Sequence, residues 1–258
     1  MIFDTHAHYD DEKFDSDRDI LLEDIHSHNI SPIVNVSSSL ESIKRTLQLA
    51  DQYPYIYAAI GIHPSDSGDL SISDFSYIES LLLQEKVIAV GEIGLDYYWK
   101  EPDSSIQKKW FTEQIHIAHR AQLPMIIHSR DAAKDTIDIM RNEHCEEIGG
   151  VIHCYSYSKE SARDFLNMGF FFGIGGVVTF SNSKKLKEVV SFLPLSQIVL
   201  ETDCPYLAPV PNRGKRNSSL NLTYVIEEIA SIKECSIQEV EDITFQNAVK
   251  LYRLESKL

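Results

Sequence analysis

Short apolar runs rich in β-branched residues alternate with longer amphipathic stretches along almost the whole chain. Eight of the apolar runs, at 2–4, 33–36, 56–60, 87–90, 125–127, 151–152, 170–174 and 198–200, read as strands buried on both faces. Between them, 16–28, 39–53, 104–121 and 159–168 carry apolar residues at helical spacing. Ser104 reads as the N-cap of its helix, and Gly169 as the stop after Met168. The tail, 220–254, reads as two further helices. Eight strands, each followed by a helical run, predict an α/β fold of the (β/α)8 TIM-barrel type, with residues 1–258 forming a single domain. A doubly wound open sheet is the alternative, but no G-x-G-x-x-G follows the first strand. Linkers, low-complexity tracts and internal repeats are absent from the sequence.

The composition changes this picture little. Hydrophobic residues make up 43% and charged residues 24% of the 258, as in an ordinary globular protein with a sizeable core. No stretch approaches the ~20 apolar residues of a membrane-spanning helix. The four cysteines, Cys145, Cys154, Cys204 and Cys235, form no C-x-x-C pair, which fits a reducing compartment. The start lacks the basic and apolar regions of a leader peptide, and His6 and His8 stand where cleavage would remove them, so a cytoplasmic protein is expected. The ending Ser256-Lys257-Leu258 matches a peroxisomal address, for which chance is the simpler explanation. A formal net charge of -15 opposes broad contact with a phosphate backbone. Two bound dications would give a local field unlike the global sum.

Candidate chemistry emerges from position. His6 and His8 follow the first strand two residues apart, so the strand period turns both imidazoles to one side. His63 follows the third strand, Glu92 the fourth, His128 the fifth, His153 the sixth and Asp203 the eighth. In a parallel barrel those ends share one rim, where barrel enzymes place their sites. A single His or Asp at a strand end is more often a cap or loop anchor than a ligand. The other histidines act as a control. His26 and His28 end a helical run, His116 and His119 lie three apart on a helix, and His144 sits in a polar loop. Five of the ten histidines fall at predicted strand ends.

Neutral imidazoles with carboxylates suit zinc, manganese, cobalt, nickel or iron, and carboxylates with waters accept magnesium. One catalytic zinc uses about three protein ligands. The surplus here predicts two divalent cations sharing a bridging carboxylate, with Glu92 the natural bridge. Serine chemistry is disfavoured, because no G-x-S-x-G elbow occurs. Cys154 and Cys204 adjoin proposed ligands, but strand alternation would turn them the other way, as packing residues.

Several motifs together resemble the TatD family of metal-dependent deoxyribonucleases, within the amidohydrolase superfamily. They are Asp4-Thr5-His6-Ala7-His8, Gly61-Ile62-His63-Pro64, Gly91-Glu92-Ile93-Gly94-Leu95-Asp96, His128-Ser129-Arg130, His153-Cys154-Tyr155-Ser156 and Glu201-Thr202-Asp203-Cys204-Pro205. D-T-H-x-H is common to the superfamily, whereas G-E-I-G-L-D with E-T-D-x-P is specific. The resemblance implies that His6, His8, Glu92 and Asp203 hold one ion, and Glu92, His128 and His153 a second. It further implies that His63 contacts the substrate phosphate. Two departures stand out. Ser218-Ser219 follow Arg213-Gly214-Lys215-Arg216-Asn217 where the family usually has Glu-Pro, and Tyr157 replaces a usual small residue.

The expected function is hydrolysis of DNA phosphodiesters by a metal-activated hydroxide, as a 3′-to-5′ exonuclease, with Asp203 and Glu92 catalytic. Asp203 would orient the nucleophile or accept its proton. Arg130 and the basic run Arg213, Lys215 and Arg216, which follows the last strand as phosphate-binding barrel loops often do, are expected to contact substrate. DNA is the expected partner, with no membrane and no obligate protein partner. An amide or ester hydrolase using the same two-metal site is the alternative, and a non-catalytic metal-binding protein is the third reading.

Overall fold

A computed structural model describes residues 1–255; the tripeptide Ser256-Lys257-Leu258 lies outside the described residues. Eight strands alternate with helices in chain order. They are β1 (Ile2–Ala7), β2 (Ile30–Val36), β3 (Ile56–Ile60), β4 (Val87–Asp96), β5 (Met125–Arg130), β6 (Gly150–Ile152), β7 (Phe171–Ile174) and β8 (Ile198–Leu200). The helices are α1 (Arg18–Ser27), α2 (Leu40–Gln52), α3 (Ile72–Leu81), α4 (Ser104–Ala121), α5 (Ala133–Asn142), α6 (Lys159–Asn167), α7 (Lys184–Phe192), α8 (Leu222–Lys233) and α9 (Ile237–Leu251). Each strand pairs in parallel with the next, from β1 through to β8. The ring closes just past β8, where Ala7 bridges Cys204, the His8 N–H donates to the Cys204 carbonyl at 2.9 Å, and the Asp203 N–H donates to the His6 carbonyl at 3.0 Å. The expected (β/α)8 barrel is therefore present.

Alternation along the strands divides the core in two. Ile33, Ile56, Ile60, Ile127, Phe172 and Leu200 pack outward beneath the helices. Phe3, Val34, Tyr57, Ala89, Ile126, Val151, Phe171 and Val199 fill the barrel with Ala248 and Val249 of α9 and Tyr252 after it. Tyr252 donates its hydroxyl to the Thr5 carbonyl at 2.8 Å, so the last helix plugs the end opposite the carboxyl ends of the strands. No helix among the described residues is long and apolar enough to cross a membrane.

Two local expectations need correction. The N-cap of α4 is Asp103, not Ser104, because the Asp103 carboxylate accepts the Ser105 N–H at 2.8 Å. The fourth strand is ten residues long rather than four, and it carries Glu92 within it. Its glycines look like loop signals in sequence but serve close strand contact. Gly94 has φ 146°, and a Cβ there would lie 1.9 Å from the His128 carbonyl oxygen on β5. Gly169, with φ 77°, ends α6 as expected.

Gly94→Ala should therefore destabilise the fold by at least ~3 kcal/mol, since it combines strain with overpacking. Gly149→Ala, at φ 79° with open space around it, should cost only about 1 kcal/mol. Urea unfolding followed by circular dichroism separates the two, and equal losses would place β4 and β5 farther apart than described.

Candidate metal centre

The carboxyl ends of five strands bring the six predicted donors together. His6, Glu92 and His128 lie on β1, β4 and β5 themselves; His8 and His153 stand one residue past β1 and β6; Asp203 stands three past β8. His6 Nε2 and His8 Nε2 are 3.0 Å apart. Both face Glu92 Oε2, at 3.5 and 3.7 Å, and Asp203 Oδ1, at 3.7 and 3.3 Å. Four ligands at ~2.1 Å around a tetrahedral ion would stand about 3.4 Å from one another, so this quartet has the spacing of a coordination shell. The other oxygen of the same carboxylate faces a second group. Glu92 Oε1 is 2.6 Å from His128 Nδ1 and 2.8 Å from His153 Nε2, and those two nitrogens are 3.3 Å apart. One buried carboxylate thus presents each oxygen to a separate set of ring nitrogens.

Contacts behind the rings decide which nitrogen carries a lone pair. His8 Nδ1 donates to the Val36 carbonyl at 2.8 Å, which leaves Nε2 free to ligate. His128 Nε2 donates to Asp96 Oδ2 at 3.0 Å, which leaves Nδ1 facing Glu92. His63 is the opposite case. Its Nδ1 accepts the Ser65 N–H at 3.1 Å, so the neutral ring carries its proton on Nε2, 3.9 Å from Glu92 Oε1. Proximity alone groups His63 with Glu92 and His128 as a possible ion site. The tautomer makes it a hydrogen-bond donor into the centre instead.

Several supporting residues escaped the sequence reading of roles. Asp96 orients His128 and also accepts the Tyr98 N–H on Oδ1 at 3.0 Å. Asp4 accepts from the Thr202 N–H at 3.1 Å and the Thr202 and Ser219 hydroxyls at 2.7 and 2.6 Å, tying β1 to the segment that carries Asp203. Glu201 lies buried behind His153. Its Oε1 accepts the Cys154 N–H at 2.5 Å and stands 3.7 Å from His153 Nδ1, while a Cβ on Gly173 would come within 2.0 Å of Oε2. Burial pushes the Glu201 carboxyl up to about 8. In sequence, all three look like neighbours of ligands; nothing local signals that they hold the ligands in place.

The remaining histidines stay away from the centre. His26 stacks on Tyr55, His28 bonds Asp24 on its own helix, and His116 and His119 hold Glu143 at the end of α5. Cys154 and Cys204 are outside the donor groups, although strand alternation is not the reason. Both follow their strands, and Cys154 takes a left-handed φ of 46°. The Tyr157 hydroxyl accepts the Ala132 N–H at 3.1 Å and sits 2.9 Å from the Ser129 hydroxyl, bracing the loop after β5.

The centre opens into a cleft of about 790 Å³. Its basic side chains are Arg130, expected, and Arg45, which the sequence reading passed over because it lies on the α2 helix rather than at a strand end. The expected basic run does not line it: Arg213, Lys215 and Arg216 are all outside the cleft wall. Arg216 grips Asp17 with both guanidinium arms at 2.8 and 2.6 Å, Lys215 donates to Asn212, and Arg213 lies 4.2 Å over the Phe180 ring. Asn217, at the end of the run, donates to the Thr202 carbonyl at 2.9 Å and so braces Asp203. In a chain of net charge -15, nearby carboxylates compete for such cations, and here Asp17 holds Arg216.

Electrostatically the centre attracts positive charge. Burial works against protonating His8 and His153, but the surrounding carboxylates outweigh it, Asp203 and Glu92 pushing His8 up to about 9 and Glu92 with Glu201 pushing His153 up to about 10. Burial, aided by neighbouring imidazoles, drives His6 down to about 4 and His63 to about 3. Burial would raise Glu92, yet His153, His63 and His128 hold it well below the usual carboxylate range. An imidazolium whose folded pKa exceeds its unfolded ~6.5 stabilises the metal-free fold below that value and loses this contribution as pH rises through about 9 and about 10. The same protons compete with metal for the ring nitrogens. The gap in Tm between manganese-loaded and chelator-treated protein should therefore widen from about pH 6.5 to about pH 8.5. Calorimetry at several pH values checks this, and a gap that narrows contradicts it.

Comparison with known proteins agrees with this geometry. A family model described as TatD related DNase matches residues 3–253. YabD of Bacillus subtilis, an uncharacterized metal-dependent hydrolase by name, is 43% identical over 98% of this chain and 100% of its own length. YcfH of Escherichia coli K12, named in the same way, is 32% identical over 99% of this chain and 97% of its own. The crystal structure of YjjV, a TatD homolog from Escherichia coli K12, superposes with a TM-score of 0.92 at 29% identity, covering 98% of both chains. An uncharacterized amidohydrolase from Saccharomyces cerevisiae shares the fold at a TM-score of 0.86 and 17% identity. The chain belongs to the TatD family of metal-dependent hydrolases.

Proposed function

We propose that this hydrolase cleaves phosphodiester bonds at the ends of DNA chains, as a deoxyribonuclease working 3′ to 5′. The observation that carries the reading is the pairing, in one cleft, of the two-faced Glu92 with a neutral hydrogen-bond donor, His63 Nε2–H, and the Arg130 guanidinium group. His6, His8, Glu92 and Asp203 would hold one ion, and Glu92, His128 and His153 the other. Imidazole-rich donors favour manganese, zinc, cobalt or nickel over magnesium. Divalent cations held there would lower the pKa of a bound water and offset charge on the phosphoryl oxygens.

The chain's own residues supply the rest. His63 donates from Nε2 to a phosphoryl oxygen, and its lowered pKa keeps the donor uncharged and its orientation fixed by Ser65. Asp203 is the most solvent-exposed member of the quartet, at 19% of its side chain, so it can accept the proton of the attacking water and pass it outward. Arg130 offers planar guanidinium donors to the phosphate. The same cleft is walled by Asp10, Asp11, Glu12, Glu41 and Asp66, which repel a polyanion laid across it. A chain end presenting one phosphodiester at a time meets least of that repulsion, which favours an exonuclease. Four free thiols fit the expected reducing, cytoplasmic setting.

The acidic wall also favours a second reading, an amide or ester hydrolase with an uncharged substrate. Manganese-loaded protein assayed side by side on a single-stranded oligonucleotide, a phosphodiester dye ester and an acyl ester distinguishes the two. Hydrolysis of both phosphodiesters is expected, and hydrolysis of the acyl ester alone establishes the second reading. Asp203→Asn, which keeps the size but removes the charge and the proton acceptor, should lower kcat by at least ~10²-fold. Near-normal turnover in that variant removes Asp203 from the chemistry.

A further inference from the structure

Beside the metal donors, at the end of β4, stand two aromatic side chains that the hydrolytic chemistry does not use. Tyr98 and Trp99 are 54% and 56% exposed, and Trp99 lines the cleft. Their rings meet edge to face, with centroids 4.9 Å apart at 90°. Arg130, another cleft residue, lays its guanidinium 3.8 Å above the Tyr98 ring. The group is anchored from behind. Tyr97 donates its N–H to the Arg130 carbonyl at 2.8 Å and its hydroxyl to Asp135 at 2.8 Å. The carboxylate that receives the Tyr98 N–H is Asp96, which also orients the metal-side histidine His128. A single side chain thus fixes the aromatic pair relative to the donors around Glu92.

We propose that Trp99, supported by Tyr98 and Arg130, is a stacking platform for the nucleobase adjoining the scissile phosphate. The inference rests on the phosphodiesterase reading and specifies how that substrate is gripped. Charge makes the case for a base rather than a second phosphate. Arg45 is paired with Asp15 and Arg130 lies on Tyr98, while Asp10, Asp11, Glu12, Glu41 and Asp66 face the cleft away from the centre, so phosphates beyond the one at the centre find little attraction. An aromatic face binds any base, requires no positive charge and is insensitive to salt compared with phosphate contacts. The cleft volume of about 790 Å³ accommodates a nucleotide. Binding should therefore tolerate sequence and change little with ionic strength.

Trp99 itself reports the contact. The only other tryptophan, Trp110, is buried against Phe75, with rings 4.6 Å apart, so a quencher in the cleft reaches Trp99 first. Manganese-loaded protein is titrated with deoxyadenosine monophosphate and, separately, with deoxyribose 5-phosphate, which has the sugar and phosphate but no base. Saturable quenching by the nucleotide at concentrations at least about 5-fold lower than any effect of the sugar phosphate is expected, and Trp99→Phe should diminish it. Equal responses, or none, overturn the platform. In parallel, Trp99→Ala should raise KM on an oligonucleotide by about 5- to 100-fold, with a much smaller rise on the same oligonucleotide made abasic at its terminal positions, and Trp99→Tyr should restore most of the loss. Equal penalties on both substrates also overturn it. If the wild type cuts neither oligonucleotide, the phosphodiesterase reading fails on its own account, and the quenching comparison alone decides whether Trp99 binds a base.

Discussion

The structure depends on one buried carboxylate having two faces. Glu92 sits within β4 with each oxygen turned to a different set of ring nitrogens, and its burial would be prohibitive without them. That arrangement constrains the sequence around it. β4 must extend past its apolar half, and Gly94 must lie against the His128 carbonyl so that β4 and β5 come close enough for His128 to reach Glu92. On the other side, Asp4 and Asn217 secure the segment that brings Asp203 to the same point. The barrel supplies the convergence, and Glu92 gives it a centre.

The supporting contacts assign distinct work to chemically identical side chains. His8 and His128 are fixed by acceptors behind them and present lone pairs, whereas His63 is fixed by a donor behind it and presents a proton. These three histidines near one carboxylate therefore divide into two that present lone pairs and one that presents a proton, without any difference in residue type. Asp96 extends this ordering outward, because the same carboxylate that sets the His128 tautomer also holds the start of the loop carrying Tyr98 and Trp99. Metal centre and cleft wall are rigidly related for that reason.

Much of this was legible in the sequence because a parallel barrel converts chain position into spatial position: a polar residue after an apolar strand points to one rim. His6, His8, Glu92, His128, His153 and Asp203 converge there, while His26, His28, His116 and His119 do not. What stayed hidden was whatever depends on a partner distant in sequence. Asp96, Asp4 and Glu201 are ordinary acids until their acceptor geometry is known. The length of β4 was masked by glycines that read as loop punctuation but permit strand contact. Arg216 looked like a phosphate ligand because a linear sequence cannot show that Asp17 already holds it. Arg45, on a helix, entered the cleft without any strand-end signal, and Trp99 follows β4 well past the apolar run that marks the strand in sequence.

The central claim is that Glu92 serves two ions at once. Elemental analysis of protein equilibrated with a slight excess of manganese or zinc and then desalted tests it most directly, comparing the wild type with Glu92→Gln, which keeps the shape but replaces one oxygen by an amide nitrogen. Two ions per wild-type chain and no more than one per Glu92→Gln chain is the expected result. A variant that retains two tightly held ions would contradict the bridge and the account built on it.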